Sequence, residues 1–525
     1  MQREDAVNTL EAREEPWDFV VAGGGATGLG CGIEAASRGY DTLLLEMSDF
    51  AKATSSRSTK LIHGGVRYLQ QGNISLVLEA LKERGLLQKN APHLVRNLAF
   101  VVPNYDWWEG PFYGIGMKVY DMLAGKQGFG RSKNLSRDET LDHIPTIESD
   151  GLRGGVIYYD GQFDDARLAV NMAQTLVEQG GTAINYMKVT DLLKNNGGVV
   201  SGVVAECQES GTTYNIDAKA VINATGIFTD SLRQMDDPSA QTTLRPSQGT
   251  HIVLDRSFLP ADTAIMIPKT DDGRVLFAIP WNDRVVVGTT DEEVDGPELE
   301  PRPMLQELEF LVEHAGRYLT KKPTPDDVLS AFAGIRPLVT DPSNPSAGDT
   351  SEISRDHVLH ISNNGLVTIS GGKWTTYRKM AQDTIDQAAL LANLKDHPSV
   401  TKQLHIHGWH EHPEQFGPFE QYGSDAQALR RLIRERPELD EQLDERLPVR
   451  AVQVVWGVRN EMARTVEDIL SRRTRSLLLD AQASIDIAPQ VAELMAEEMG
   501  EDSDWRSQQV EAFTSLAEGY LMPSS

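Results

Sequence analysis

Cysteine is nearly absent from this chain. Two occur in 525 residues, Cys31 and Cys207. That is too few for a disulfide framework, a thiolate metal cluster or an iron–sulfur relay, and it fits a reducing, cytoplasmic compartment. Also missing is any apolar run of the ~18 residues that a membrane-spanning helix needs. The opening MQREDAVNTLEAREEP has no apolar signal region, so export is not expected. Cations are scarce: 50 Lys and Arg stand against 77 Asp and Glu, a net charge of −27. Nucleic acid is therefore not expected as a partner, because phosphate contacts need clustered Lys and Arg. A purely electrostatic hold on anionic lipid is opposed as well. The acidity reads as a solubilising surface or as a salt-rich habitat, and the sequence leaves both open.

The most informative stretch is WDFVVAGGGATGLGCGIEAASRGYDTLLLE, from Trp17 to Glu46. It reads as strand, glycine turn, helix, strand. Gly23, Gly25 and Gly28 have the G-x-G-x-x-G spacing, which allows a tight turn, close backbone approach to a pyrophosphate, and close helix–strand packing. The helix start offers unpaired N–H groups and a partial positive charge to that pyrophosphate. Glu46 ends the second strand, where a carboxylate meets an adenosine ribose and disfavours a 2′-phosphate. Cys31 reads as small core filler.

The length implies two or three domains. Residues 1–16 read as a disordered lead-in. Residues 74–90 and 164–179 read as helices, 199–206 and 212–217 as a hairpin, and 220–223 as a buried strand running into Ala224–Thr225–Gly226. HIVLD, AIMIP, VLFAIP and VVVGTT, between residues 250 and 290, alternate as an antiparallel sheet does. Residues 341–352 read as a polar loop. A helix is expected from about Thr375 to Leu394, and helical, acidic sequence from about 397 onward. HIHGWH, with His405, His407 and His410, lacks acidic or cysteine partners at metal-ligand spacing, so no metal is expected.

The glycine turn, Glu46 and the Val-Ile-Asn-Ala-Thr-Gly strand at 221–226 resemble the FAD-binding fold of the glutathione-reductase and amino-acid-oxidase type. Five further segments are more specific: ATSSRSTKLIHGGVRYL (53–69), GTHIVL (249–254), AGIRPL (333–338), GGKWTTYRKMA (371–381) and VRNEMARTVEDILSRRTR (458–475). In this order they resemble the FAD-dependent, respiratory-type glycerol-3-phosphate dehydrogenases. The resemblance implies an α/β chain: a Rossmann-like FAD-binding domain, a substrate domain built on an antiparallel sheet, and a C-terminal helical cap. Residues 17–103, 151–245 and 341–394 would form the first, 104–150 and 246–340 the second, and 395–525 the cap.

The same resemblance implies the chemistry, with hydride leaving C2 of sn-glycerol 3-phosphate for flavin N5 and a proton leaving the C2 hydroxyl. Such a site needs cations for the phosphate, a group to hold the C2 oxygen, and a base. Arg336, fixed between Gly334 and Pro337, is expected on the C2 oxygen. Arg67, Tyr68, Lys373 and Thr375 are expected on substrate, Arg as a planar fork and Lys as a point charge. His251 is expected in the substrate pocket and His63 near the isoalloxazine, and which of them is the base stays open. Thr54, Ser55, Ser58, Lys60, Val189, Gly226, Gly372 and Thr376 are placed against FAD together with Gly23, Gly25, Gly28 and Glu46. Thr375 and Thr376 open a helix whose N-terminus would stabilise the reduced ring.

The implied acceptor is a quinone, reached by peripheral attachment to the inner face of the cell membrane. The segment from Tyr105 to Phe129, with Trp107 and Trp108, is rich in the aromatic residues that suit a bilayer interface. A homodimer is compatible with this reading. Three alternatives remain: an oxidase using O2, another FAD-dependent amine or 2-hydroxy-acid oxidoreductase, and a flavin-binding sensor without enzymatic activity. The cationic set Arg67, Arg336 and Lys373 favours a phosphate substrate over a carboxylate.

Overall fold

A computed structural model describes residues 1–523 apart from 66–73, 107–108, 126–127, 269, 271–272 and 341–355, and without the side chains of 109–112. Two sheets organise the chain. In the first, Trp17–Ala22 lies between Thr213–Asn223 and Thr42–Leu45, parallel to both. Thr182–Ile184 extends one side, Val367–Gly371 and His357–Ile361 the other. The central strands are continuous apolar runs because they are covered on both faces, with helices and the strands Met187–Lys194 and Val200–Cys207 contributing to one core. Phe19, Val20, Val21, Leu43, Leu44, Val221 and Ile222 are fully enclosed.

The helix Ala26–Ser37 is packed between the helices Asp165–Glu178 and Tyr377–Leu391. A Cβ on Gly30 would sit 2.9 Å from the Tyr377 ring, and one on Gly32 would sit 2.8 Å from Leu176. Small residues in GLGCG therefore let two helices approach one. Cys31, fully buried among them, packs as filler.

The second sheet is antiparallel except where Thr263–Ile267 runs parallel to Val95–Asn104. Within it, Leu244–Asp255 is paired along its length with Val328–Val339 and over its second half with Arg284–Gly288. Val95–Asn104 and Gly154–Phe163 also belong to this sheet and pair with each other over ten residues. Boundaries at 103 and 151 therefore place these strands with the wrong sheet. Their apolar sequences fit either, and only the long-range pairing decides.

Two other readings need correcting. Residues 1–16 are not a disordered lead-in: Arg3–Glu11 is a helix whose Ala6 and Leu10, one turn apart, are buried. The Met1 amine donates to Asn460 O at 3.1 Å, and Arg3 pairs with Glu209 at 2.7 Å. The hairpin's second strand and the buried strand after it are one element, Thr213–Asn223.

The C-terminal region is mainly helical, with Ala481–Met499 its longest helix and a two-stranded hairpin at Gln442–Asp444 and Leu447–Arg450. Its core is continuous with the second sheet, because Val253, Trp281, Val286 and Phe332 pack among Val466, Ile469, Leu478 and Ile487. Arg167 and Glu461 join it to the first sheet's helices through a fully buried ion pair.

A further bridge is His407. Its Nδ1 lies 2.6 Å from Glu178 and its Nε2 lies 2.7 Å from Asp425. Two carboxylates on two ring nitrogens hold an imidazolium, not a metal ligand. Burial alone would lower its pKa, but the hydrogen bonds to Asp425 and Glu178 raise it from 6.5 to about 9. The pair's stability contribution is thus complete below the unfolded value and lost as pH climbs through about 9. Unfolding midpoints followed across that window should fall in the parent protein, and His407→Gln should flatten that part of the decline.

Candidate functional site

The glycine turn lies at the carboxyl end of Trp17–Ala22. Gly23 has φ +111°, and a Cβ there would sit 2.5 Å from Ala224 O. A Cβ on Gly28 would come within 1.9 Å of Gly23 O, so the helix start is pressed onto the turn. Gly25 caps that helix, and Ala26 N–H donates to Ser55 Oγ at 3.0 Å. Glu46 closes the far side. Its carboxylate accepts from Gly24 N–H at 2.6 Å and from Ser48 N–H at 2.9 Å. Burial raises its pKa, and these two N–H groups oppose the rise.

A cleft opens from this turn between the two sheets. Of the residues expected at the site, Gly25, Thr54, Ser55, Ser58, His63, Gly226, His251, Arg336, Gly372, Lys373 and Thr375 line it. Gly23, Gly28 and Glu46 form the turn beside it. Arg67 and Tyr68 lie outside the described residues. Lys60, Val189 and Thr376 are not among the lining residues. Lys60 is wholly buried beneath the cleft, with Nζ on Asp165 at 2.8 Å and on Ser56 O at 2.9 Å. Burial lowers its pKa to about 8, against the pull of Asp165. Val189 lies in the strand Met187–Lys194, packed against the first sheet's core. Thr376 is buried, its hydroxyl turned back to Lys373 O at 3.4 Å.

Arg336 projects from Val328–Val339. Its guanidinium donates to Thr289 Oγ1 and Thr290 O at 3.1 Å and to Gln248 O at 3.3 Å, and it lies 3.3 Å from Asp291. The side chain is 20 % exposed, so this ion pair sits at the cleft wall and not on the outer surface. Gly249, on the adjoining strand, makes room for it: a Cβ there would fall 2.3 Å from Nη2.

His251 lies on the same strand as Gly249, stacked on Phe332 at 4.9 Å. Its Nε2 is 3.0 Å from Thr59 Oγ1, and its Nδ1 is enclosed with no partner among the described residues. Burial, followed by the charges of Lys60 and Arg336, holds its pKa well below 6.5. The ring is therefore neutral at neutral pH.

Sequence reasoning passed over several lining residues. Arg57 donates to Leu299 O at 3.0 Å and pairs with Glu300. Thr59 holds His251. Trp374 donates its indole N–H to Ser55 O at 2.9 Å, fastening the GGKWTT turn to the SSRST loop. Arg57 and Thr59 stand inside SSRSTK, but their partners are remote in sequence.

The residues present fit FAD. The turn cannot accept a Cβ at Gly23 or Gly28 without collision, and Gly226, at φ +60°, leaves open space where a side chain would stand. The first-turn N–H groups of Ala26–Ser37 suit a pyrophosphate. Glu46 stands at the end of the second strand, the place of the ribose carboxylate in this fold.

Residues 18–378 match the family described as FAD dependent oxidoreductase, and residues 367–506 match the C-terminal domain of alpha-glycerophosphate oxidase. The mitochondrial glycerol-3-phosphate dehydrogenase of Homo sapiens is 40 % identical over 543 residues, spanning 97 % of this chain and 74 % of its own. That of Schizosaccharomyces pombe is 34 % identical, spanning 93 % of this chain and 85 % of its own. The glycerol-3-phosphate dehydrogenase from Bacillus halodurans, solved in complex with FAD, has a TM-score of 0.81 at 29 % identity, covering 100 % of this chain and 98 % of that one. The L-alpha-glycerophosphate oxidase from Mycoplasma pneumoniae, at 17 % identity and TM-score 0.57 over 74 % of this chain and 98 % of that one, shares the fold. With the glycine turn, the cleft and these likenesses together, the chain belongs to the family of FAD-dependent glycerol-3-phosphate dehydrogenases.

Proposed function

We propose that this chain oxidises sn-glycerol 3-phosphate to dihydroxyacetone phosphate in the cleft between the sheets and passes the electrons to a quinone at a membrane surface. The carrying observation is the convergence of Arg336, Lys373 and His63 on one opening beside the cofactor turn. FAD, when bound, supplies the hydride acceptor. The chain's own residues bind the substrate, hold its C2 oxygen and take the proton.

Arg336 is the group for the C2 oxygen. Hydrogen bonds to Thr289, Thr290 O and Gln248 O fix the fork before substrate arrives, so little reorganisation is needed as charge develops. Lys373 supplies a point charge for the phosphate, with Arg67 and Tyr68 assigned to it by family resemblance. Proton removal is assigned to His63. The His251 Nδ1 is enclosed and its Nε2 is engaged by Thr59, which suits a wall that keeps the pocket's shape. His63 is only half buried and lines the cleft.

Membrane attachment has its own support. The helices Ile74–Asn90 and Glu109–Ala124 pack together through Val77, Leu81, Tyr120 and Ala124. They expose Ile74, Leu78, Ile115 and Met122, the last two at 67 % and 73 %. No described helix is long and apolar enough to cross a membrane, so this pair would lie at the interface, on the inner face of the cell membrane. Trp107 and Trp108 fall outside the described residues. The match of residues 367–506 to an oxidase domain keeps O2 as the competing acceptor, and anaerobic reduction followed by reoxidation with quinone or with air separates the two.

Arg336→Ala should slow flavin reduction by glycerol 3-phosphate by about 10²–10³ with FAD content kept. Gly249→Ala, which pushes a methyl into the guanidinium, should move the rate in the same direction. Rapid-mixing absorbance reads both, and an unaltered rate removes Arg336 from the mechanism. His63→Asn should cost about 10²–10⁴ and abolish the acid limb of the pH–rate profile, while His251→Asn should cost less and keep that limb. Replacing Ile115 and Met122 with Glu should release the protein from vesicles, with dye-coupled turnover unchanged. Attachment in the parent should withstand high salt and yield to mild detergent, because the −27 charge makes it mainly apolar.

A further inference from the structure

The loop that follows Glu46 has no regular structure, yet it is tethered at several points. Gly24 donates to the Glu46 carboxylate at 2.6 Å, and its carbonyl accepts from Ala51 N–H at 3.0 Å. Residues 46–51 thus close around the middle of the glycine turn. Ala51 does so at φ +63°, a left-handed backbone that costs a non-glycine residue energy and persists only where its surroundings enforce it.

Residues 184–187 supply part of the enforcement, with Tyr186 N–H on Ser48 O and Met187 N–H on Glu46 O, both at 2.7 Å; the ion pairs come from the far end of the chain. Asp49, at the loop's centre and fully buried, receives both Arg472 and Arg473 from the helical turn Asp468–Arg473 of the cap. Arg473 also reaches the second oxygen at 2.9 Å. Arg472 is fixed from behind by Glu467 at 2.8 Å and Asp468 at 2.6 Å. At the loop's outer edge Lys52 pairs with Glu467 at 2.8 Å. Burial alone would raise the Asp49 carboxyl, but the two guanidinium charges outweigh it and hold it ionised. A buried ionic cluster of this kind is poor evidence for stability, since well-packed apolar residues serve as well or better. What it does supply is a fixed position for the loop.

We infer that Arg472 and Arg473 of the C-terminal cap are positioning residues for the cofactor's adenosine end, acting through Asp49 on the loop that carries Glu46. The inference rests on the assignment of Glu46 to the FAD ribose. On this reading the cap acts on the adenosine end of the dinucleotide site through the loop it holds. The cap thereby sets how well the protein distinguishes FAD from FMN, which lacks the adenosine half.

The test uses the full-length protein, stripped of flavin and titrated with FAD and with FMN by flavin fluorescence. The parent should prefer FAD strongly, and Glu46→Gln should narrow that preference. If the parent does not prefer FAD, or Glu46→Gln leaves the preference intact, the ribose assignment fails first. Arg473→Lys keeps the charge but loses the fork. It should weaken FAD by on the order of tenfold and leave FMN unchanged. Lys52→Met, at the partly exposed edge, should do the same more weakly and serves should Arg473→Lys not fold. In the double variant with Glu46→Gln the losses should be less than additive, because one path carries both. Equal weakening of FAD and FMN, or strict additivity with Glu46→Gln, overturns the inference and leaves the cluster as general scaffolding.

Discussion

One buried carboxylate holds the site together. Asp165, the first residue of its helix, accepts from Lys60 and Arg475 at 2.8 Å and from the Ser58 hydroxyl at 2.6 Å. Lys60 and Arg475 both also reach Ser56 O. The loop lining one side of the cleft is thus pinned from below by a cofactor-domain helix and by the cap. Thr59 rides on this loop and holds His251. Arg57 rides on it and reaches Glu300. Removing that carboxylate would leave two cations buried and uncompensated, which is far more costly than losing a surface pair.

Asp49 does the same for the other loop of the cofactor domain, so the two acids divide the floor between them. Each faces arginines from residues 472–475. Arg475 is itself in a left-handed conformation, φ +66°, at the junction between the turn that serves Asp49 and the helix Ser476–Leu479 that packs on the second sheet. That single bend lets one short segment address both loops.

The local features were legible in the sequence. The glycine turn, Glu46 and the helices at Ile74–Asn90 and Asp165–Glu178 are written in consecutive residues whose spacing has direct physical meaning. The strands between 250 and 290 read as apolar antiparallel strands, and the structure buries them on both faces. What stayed hidden depends on distant partners. Lys60 reads as a cofactor ligand by its neighbours, but an aspartate 105 positions away draws it out of the cleft. His251 reads as a base by residue type, but Phe332 and Thr59 enclose it. Ala6 and Leu10 are too few apolar residues to announce a helix, and packing against the first sheet's core makes one. Val95–Asn104 and Gly154–Phe163 carry no local sign of which sheet they join.

The strand order of the first sheet has a consequence for how the chain comes to be folded. The strand beginning at Trp17 needs neighbours from residues 42–45 and 213–223, and the latter needs one from 367–371. Asp49 and Asp165 wait still longer, for arginines at 472–475. A growing chain therefore cannot complete its nucleotide-binding sheet until residues 367–371 have been made, and Asp49 and Asp165 gain their arginines only when residues 472–475 have followed. Contacts of such long sequence separation are slow to form. During that interval the apolar strands and the aspartates beside them lack their partners and are open to wrong ones. The glycine turn, made before any of these partners, must wait for them to acquire its surroundings.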